Sequence, residues 1–276
     1  MLYLCATPIG NLGDITQRVR ETLAEVDLIA AEDTRNSLHL LNHLGIKTPL
    51  TSYHEYNKYD KAEVLIRKLK EGQDIALISD AGTPSISDPG EVLVKRCIEE
   101  GIAVTSLPGP AACITALTLS GLPTRRFVFE GFLPADKKER MEVLEELTGE
   151  TRTIILYEAP HHLLHTLKEL CEALGNRPIA LCRELTKRFE SVEHTYLDDA
   201  VEYYGKEEPR GEYVLVILGQ TREEKIRSER AVWESMSIPE HMAMYEVQGM
   251  DHKEAMKQVA QDRGIRKRDV YNALHK

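Results

Sequence analysis

Three Gly- and Pro-rich segments carry the most chemical information in this 276-residue chain: ATPIGNLGDIT (residues 6–16), SDAGTPSISDPG (79–90) and LPGPAA (107–112). Each directly follows a short apolar run that reads as a β-strand. Glycine removes the side chain that would hold a ligand off the backbone, and proline fixes a loop before anything binds. Ligands of open parallel sheets sit outside the carboxyl ends of the strands. One such loop alone reads as a tight turn, but three on one edge predict a preformed small-molecule pocket. Groups able to take a proton or to stabilise an anion stand just past other strand ends: Glu32, Asp33 and Arg35 in AAEDTR, Glu158 in YEAPHH, and Glu184 and Lys187 in RELTK. Helix capping accounts for Asp33 equally well.

Several other chemistries lack their signature. The chain has no G-x-G-x-x-G, no G-x-x-x-x-G-K-[ST], no H-E-x-x-H and no G-x-S-x-G. His161 and His165 lie one helical turn apart without a third ligand, and a helix start after Pro160 accounts for them, so no metal is expected. The five cysteines are scattered and form no C-x-x-C pair, which fits reduced thiols. With 35 Lys plus Arg against 45 Asp plus Glu, the net charge is −10. That balance excludes unselective coating of nucleic acid or anionic membrane but leaves room for a local basic site. The most apolar stretch, 111–122, is interrupted by Thr115, Thr118 and Ser120, and the first basic residue is Arg18, so neither a membrane span nor an export signal is expected. The expected location is the cytoplasm.

Apolar runs alternate with helix-period segments, the pattern of an α/β fold with a mostly parallel sheet. Strands are expected at 2–6, 28–31, 75–78 and 103–107, and helices at 14–25 (capped by Asp14), 36–44 (stopped by Gly45), 61–70 and 91–100. The pattern restarts after residue 122 with strands at 127–130, 153–157, 179–183, 191–196 and 213–218 and helices at 137–147 and 161–174. Adjacent strands with fewer helices between them predict a mixed sheet there. The expected division is residues 1–120, 121–220, and a charged linker (221–230) with a helical extension to 276. From Asp251 onward, seven Lys or Arg face four acids, a local +3 that leaves −13 for the remainder, and two helical patterns broken at Gly264 suggest a helix-turn-helix-like hairpin. The hairpin either packs as a cap or touches RNA.

The three loops, together with AAEDTR (30–35), SGLPTRRFVFEGFLP (120–134), YEAPHHL (157–163), RELTKRFE (183–190) and RGEYVLV (210–216), resemble the bacterial 16S ribosomal RNA cytidine 2'-O-ribose methyltransferases, a branch of the tetrapyrrole methylase superfamily. The resemblance runs in chain order over residues 2–219. It implies two α/β domains of the tetrapyrrole methylase type, S-adenosylmethionine as methyl donor in the cleft between them, and a homodimer that acts on 16S RNA or the small ribosomal subunit. T-P-I-G-N and S-D-A-G-T-P stand where tetrapyrrole-modifying members usually carry G-x-G-x-G-D and G-D-P, which favours the RNA branch.

Methyl transfer from a sulfonium is an in-line displacement that asks mainly for positioning and exclusion of water. The donor site is therefore assigned to Pro8, Ile9, Gly10, Asp80, Gly82, Thr83, Pro108, Gly109, Pro110 and Tyr157, with Asp80 as the expected carboxylate. Activation of the hydroxyl is assigned to Glu32, Glu184 and Lys187, and Lys187 would serve as a base only if burial lowered its pKa. RNA contacts are assigned to Arg35, Arg125, Arg183, Arg188 and Arg210, with Arg126, Lys137, Lys138, Arg140 and the basic tail assisting, although residues 137–140 also read as a solvated helix start. Tyr53, His54, Tyr56 and Tyr59 offer stacking surfaces or a dimer contact. The competing expectations are a precorrin-type C-methyltransferase and a non-catalytic ribosome assembly factor.

Overall fold

The computed structural model describes residues 1–221, 223–225, 233 and 236–275. Its first sheet contains β1 (Leu2–Cys5), β2 (Leu28–Ala31), β3 (Leu50–Ser52), β4 (Ile75–Ile78) and β5 (Val104–Leu107), all parallel, in the order β3-β2-β4-β1-β5. Successive side chains of a strand point to opposite faces, so these apolar runs serve two cores at once. Leu2, Leu4, Ala30, Ile75 and Leu77 pack on one face with Leu65 and Ile66 of α3 (Lys58–Lys70) and Leu93 of α4 (Gly90–Glu99). Cys5, Ile29, Ala31, Ala76 and Ile78 pack on the other with Val19 and Leu23 of α1 (Gln17–Glu25) and Leu41 of α2 (Thr34–Leu44). The chain winds outward from β1 to β3 and returns through β4 to β5. The loops after β4, β1 and β5 are thereby neighbours at the carboxyl edge where the strand order reverses.

Helix starts depart from the sequence expectation for local reasons. Asp14 does not cap α1; it ends a 3₁₀ turn (Leu12–Asp14) whose own cap is Asn11, and the Thr16 hydroxyl instead accepts the Val19 N–H at 3.2 Å. Thr16→Ala is expected to cost about 1 kcal/mol, read as a lower urea midpoint. Helix α2 begins at Thr34 because the Asp33 carboxylate accepts the Arg35 N–H at 2.8 Å, and Gly45 ends it at φ 71° as expected.

The second sheet is mixed, as the strand spacing implied. It comprises β6 (Phe127–Gly131), β7 (Thr153–Glu158), β8 (Pro178–Arg183), β9 (Ser191–Tyr196) and β10 (Tyr213–Ile217) in the order β6-β7-β10-β8-β9. Only the β6–β7 pair is parallel. Helix α5 (Ala112–Leu119) precedes residue 120 yet packs on this sheet, placing Cys113, Ala116 and Leu117 against Ile155, Ala180, Cys182, Val214 and Val216. The sequence patterns did not announce α5, which is apolar on most sides and so carries no stripe. Helices α6 (Lys137–Thr148), α7 (Leu163–Leu174) and α8 (Leu197–Tyr204) complete this half, with α7 packed on α8.

Two compact units divide the described chain: residues 1–144 with 153–218, and residues 145–152 with 219–276. Both sheets belong to the first. The second contains α9 (Ile238–Val247), α10 (His252–Arg263) and α11 (Lys267–Leu274), whose own small core is Met242, Ala255, Met256, Val259, Ala260 and Val270. Gly264 makes the expected turn between α10 and α11 at φ 62°. Most of the charged linker at 221–230, and Lys276 of the basic tail, lie outside the described residues. Among the described residues no helix is long and apolar enough to cross a membrane.

Candidate active site

The three Gly- and Pro-rich loops are tied to one another. Thr7 and Gly82 exchange both main-chain hydrogen bonds, at 2.9 and 3.1 Å, and the Thr83 hydroxyl donates to the Pro110 carbonyl at 2.9 Å. The loop after β4 is held from within, because the half-buried Asp88 carboxylate accepts the N–H groups of Ser85 and Gly90 at 2.7 to 2.9 Å. Loops tied in this way keep one shape before a ligand arrives.

They form one wall of a 420 Å³ cavity within the first unit. Ile9, Ala81, Gly82, Thr83 and Ile86 come from the loops after β1 and β4, and Ala111, Ala112 and Cys113 from the start of α5. The opposite wall is built by Phe132, Tyr157, Glu158, Cys182, Leu185, Lys187, Glu212, Tyr213 and Val214. The size and mostly apolar lining with a few polar groups are those of a site for a drug-sized molecule. Tyr157 is doubly fixed: its hydroxyl accepts the Cys113 N–H at 3.2 Å, and its ring meets Phe129 and Phe132 edge to face. Burial pushes its phenol well above the usual range. The Glu158 carboxylate is buried, accepting the Ala159 N–H at 2.8 Å and the Thr166 hydroxyl.

Lys187 is the cation of this cavity. Its Nζ donates to Glu184 Oε1 at 2.9 Å and to Glu212 Oε2 at 2.7 Å. Burial pulls the lysine pKa down, but the hydrogen bonds to Glu212 and Glu184 outweigh it, and the net direction is up. The same contact with Lys187 holds Glu184 below the usual carboxylate range, against the opposing effect of burial. The turn that makes this arrangement is unusual, because Glu184 (φ 52°) and Thr186 (φ 66°) both take left-handed backbone without being glycine. Such conformations cost on the order of 1–3 kcal/mol and persist only where the surroundings fix them. Two glycines do so here. A Cβ on Gly10 would lie 2.4 Å from Lys187 Cγ, and one on Gly211 would lie 2.5 Å from Glu184 Cγ.

A second acidic group lies at the ends of β2 and β4. Asp80 heads the loop after β4, but it is exposed and its carboxylate accepts the Asp33 N–H at 3.0 Å, so it does not line the cavity. Glu32 is half-buried beside it, and burial first, then the Asp80 charge, raise its pKa. Arg35 pairs with Asp33 at 2.8 Å, and their mutual hydrogen bonds hold Asp33 down to about 2.

Of the expected donor residues, Ile9, Gly82, Thr83 and Tyr157 line the cavity; Gly10 and Pro110 support it through the contacts above, and Pro8, Pro108 and Gly109 lie in the same loops. Phe132, Leu185 and Glu212, wall residues to which sequence reasoning assigned no role, stand inside the motifs quoted above, and Cys113 and Cys182 stand one residue outside them. Arg125, Arg188 and Arg210 are exposed, Arg188 lying 5.5 Å over the Phe189 ring, and Arg183 is half-buried with no hydrogen-bond partner for Nε among the described residues. Two expectations need correction. Arg140 is turned inward to Glu169 (2.6 Å) and Thr166 (2.7 Å) rather than toward RNA. Tyr53 is buried, donating its hydroxyl to the Pro89 carbonyl at 3.0 Å, because its own N–H continues the β2 ladder to Ala31. Tyr56 and Tyr59 are exposed. Among the described residues no group of three or more His, Cys, Asp or Glu is arranged to hold a metal.

Comparison with known proteins places this geometry in a family. The model of the Tetrapyrrole (Corrin/Porphyrin) Methylases matches residues 1–201. The Ribosomal RNA small subunit methyltransferase I of Halalkalibacterium halodurans is 51% identical over 274 residues, 99% of this chain and 94% of that protein. The protein of the same name from Synechocystis sp. is 47% identical over 98% of this chain and 96% of its own length. A solved structure of the uroporphyrin-III C-methyltransferase of Thermus thermophilus, complexed with S-adenosyl homocysteine, shares the fold at a TM-score of 0.55 and 20% identity, covering 79% of this chain and 96% of that one. The resemblance carried by the loops and the RELTK and RGEY motifs thus extends along nearly the whole sequence, and the chain belongs to the tetrapyrrole methylase family, alongside the small-subunit ribosomal RNA methyltransferases I.

Proposed function

We propose that this protein is a methyltransferase that transfers a methyl group from S-adenosylmethionine to the ribose 2'-hydroxyl of a cytidine in 16S ribosomal RNA. The observation that carries the proposal is a lysine clasped by two carboxylates in the wall of a preformed, mostly apolar cavity, in a chain about half identical to ribosomal RNA small subunit methyltransferases. The cavity suits the donor. Its volume of 420 Å³ is that of a drug-sized ligand, Tyr157 and Phe132 offer aromatic surface for adenine, and Glu158 offers a carboxylate for hydroxyl or ammonium groups. When bound, the donor supplies an electrophilic methyl on a positive sulfur.

The chain's own residues do the rest. The loop residues Ile9, Gly82 and Thr83 shape the donor site with Pro8, Gly10, Pro108, Gly109 and Pro110, and Tyr157 closes it. Asp80 and Glu32 act from outside the cavity by fixing the β2 and β4 loop ends. Lys187 lies where its charge stabilises the oxygen as it loses its proton. RNA phosphates are held by Arg35, Arg125, Arg183, Arg188 and Arg210, and the exposed basic residues of α10 and α11 offer phosphate contacts of their own. A chain at −10 needs such local sites to hold RNA at all. The protein acts in the cytoplasm as a homodimer, and the substrate is the small subunit or its RNA.

Incubation with methyl-labelled donor and small subunits from cells lacking the modification tests this. The expected product carries label on the 2'-oxygen of one cytidine. Label in a precorrin and none in RNA would establish tetrapyrrole C-methylation instead, and absence of donor binding by calorimetry would leave a non-catalytic assembly factor.

A further inference from the structure

We infer that Glu212 is the group that takes the proton from the hydroxyl being methylated, while Glu184 acts only by positioning Lys187. The inference rests on the methyl-transfer reading above. The two carboxylates around Lys187 differ in what they have left to offer. Glu184, with its side chain 21% exposed, already accepts twice at Oε1, from Lys187 Nζ at 2.9 Å and from the Glu212 N–H at 3.0 Å. Its stem lies against Gly211, with no room there for even a Cβ, on a backbone held at φ 52°. It cannot turn toward a substrate without dismantling the turn that holds the lysine.

Glu212 has the opposite character. Its side chain is 81% exposed, it lines the cavity, and among the described residues Lys187, at 2.7 Å, is the one partner of its carboxylate. The main chain beneath is fixed, because its carbonyl accepts the Glu184 N–H at 3.0 Å and its own N–H donates back to the Glu184 side chain. A base must be within hydrogen-bond reach of the proton it removes, and a carboxylate on a fixed backbone with a free oxygen meets that requirement. Lys187, touching Glu212, would then lie beside the oxygen as it becomes negative.

The step balances. An oxygen lone pair forms the new C–O bond while the C–S bond breaks and its electron pair passes to sulfur, leaving a neutral thioether. The hydroxyl proton passes to the Glu212 carboxylate and from there to water.

The full-length protein with Glu212→Ala tests the role. Turnover on small subunits is expected to fall by about 10²–10³-fold with KM for the subunit changed by less than about threefold. Affinity for S-adenosylhomocysteine, measured by calorimetry, should stay within about threefold of wild type. Added formate should restore part of the turnover in Glu212→Ala, where it can occupy the vacated carboxylate position, and none in Glu184→Gln. A Glu212→Ala protein that keeps turnover within about threefold, loses affinity for S-adenosylhomocysteine, or ignores formate would overturn the assignment. Wild-type protein that binds S-adenosylhomocysteine but transfers no methyl to subunits would overturn the methyl-transfer reading itself.

Discussion

Lys187→Met lowers turnover by about 10²–10³-fold, the loss typical of removing one charged or hydrogen-bonding group aimed at a developing oxyanion. Methionine keeps an unbranched stem that can follow the lysine's path over Gly10, so packing is largely preserved and the ammonium alone is lost. S-adenosylhomocysteine affinity by calorimetry should change far less than turnover, since the ammonium is assigned to the acceptor side. The direction of the lysine pKa fixes the pH behaviour. Burial lowers it, the hydrogen bonds to Glu212 and Glu184 outweigh burial, and the result is above the ordinary lysine value. The cation is therefore present throughout the neutral range and lost only as pH rises through that raised value. A kcat profile between about pH 6 and 9 should show no limb that Lys187→Met removes. The same direction argues against Lys187 as a base, the role that sequence alone left open. Unchanged turnover in Lys187→Met would remove the residue from the mechanism.

Gly10→Ala is expected to damage both stability and turnover, and the damage should depend on Lys187. At φ 149° an L side chain is strained, a cost on the order of 1–3 kcal/mol. In addition the new Cβ would sit 2.4 Å from Lys187 Cγ, in mid-stem, where the lysine cannot move aside without leaving Glu184 and Glu212. Lys187→Ala removes that Cγ. In the double variant the clash term vanishes while the backbone strain remains, along with a 3.0 Å approach to the Thr186 hydroxyl. The urea-unfolding penalty of Gly10→Ala should thus be smaller on the Lys187→Ala background, by about 0.5–3 kcal/mol of coupling. Equal penalties on both backgrounds would mean that loop and lysine are not mechanically joined.

Much of the first sheet could be read from the chain because its signals are local. Apolar runs such as 75–78 and stop signals such as Gly45 and Gly264 depend on a few neighbouring residues, and the structure places strands and helix ends there. The short β3 and the uniformly apolar α5 carry weaker local signals, whereas α8, with Leu197, Ala200 and Tyr204 on its buried face, carries a helical pattern that the sequence reading passed over.

The site divides in the same way. The loops after β1, β4 and β5 were recognisable as a ligand-binding edge from glycine and proline alone, and their family motifs identified the chemistry. Asp80 shows where that reasoning stops. It heads the right loop, but β2 and β4 are adjacent, so its carboxylate meets the Asp33 N–H across 47 residues of sequence instead of turning to the cavity.

By itself the sequence determined the α/β class, the mixed second sheet, the phosphate-repelling charge and the set of motifs that must converge. Only the tertiary structure decided which members of those motifs touch. Glu212 is the case in point, a residue inside the RGEYVLV motif that nothing local singles out from its neighbours. The antiparallel pairing of β10 with β8 places Tyr213 opposite Arg183, and continuing past that pair brings Glu212 alongside Glu184 and within 2.7 Å of Lys187. Strand register is set by the burial of whole faces, and that nonlocal constraint brought these three charges together.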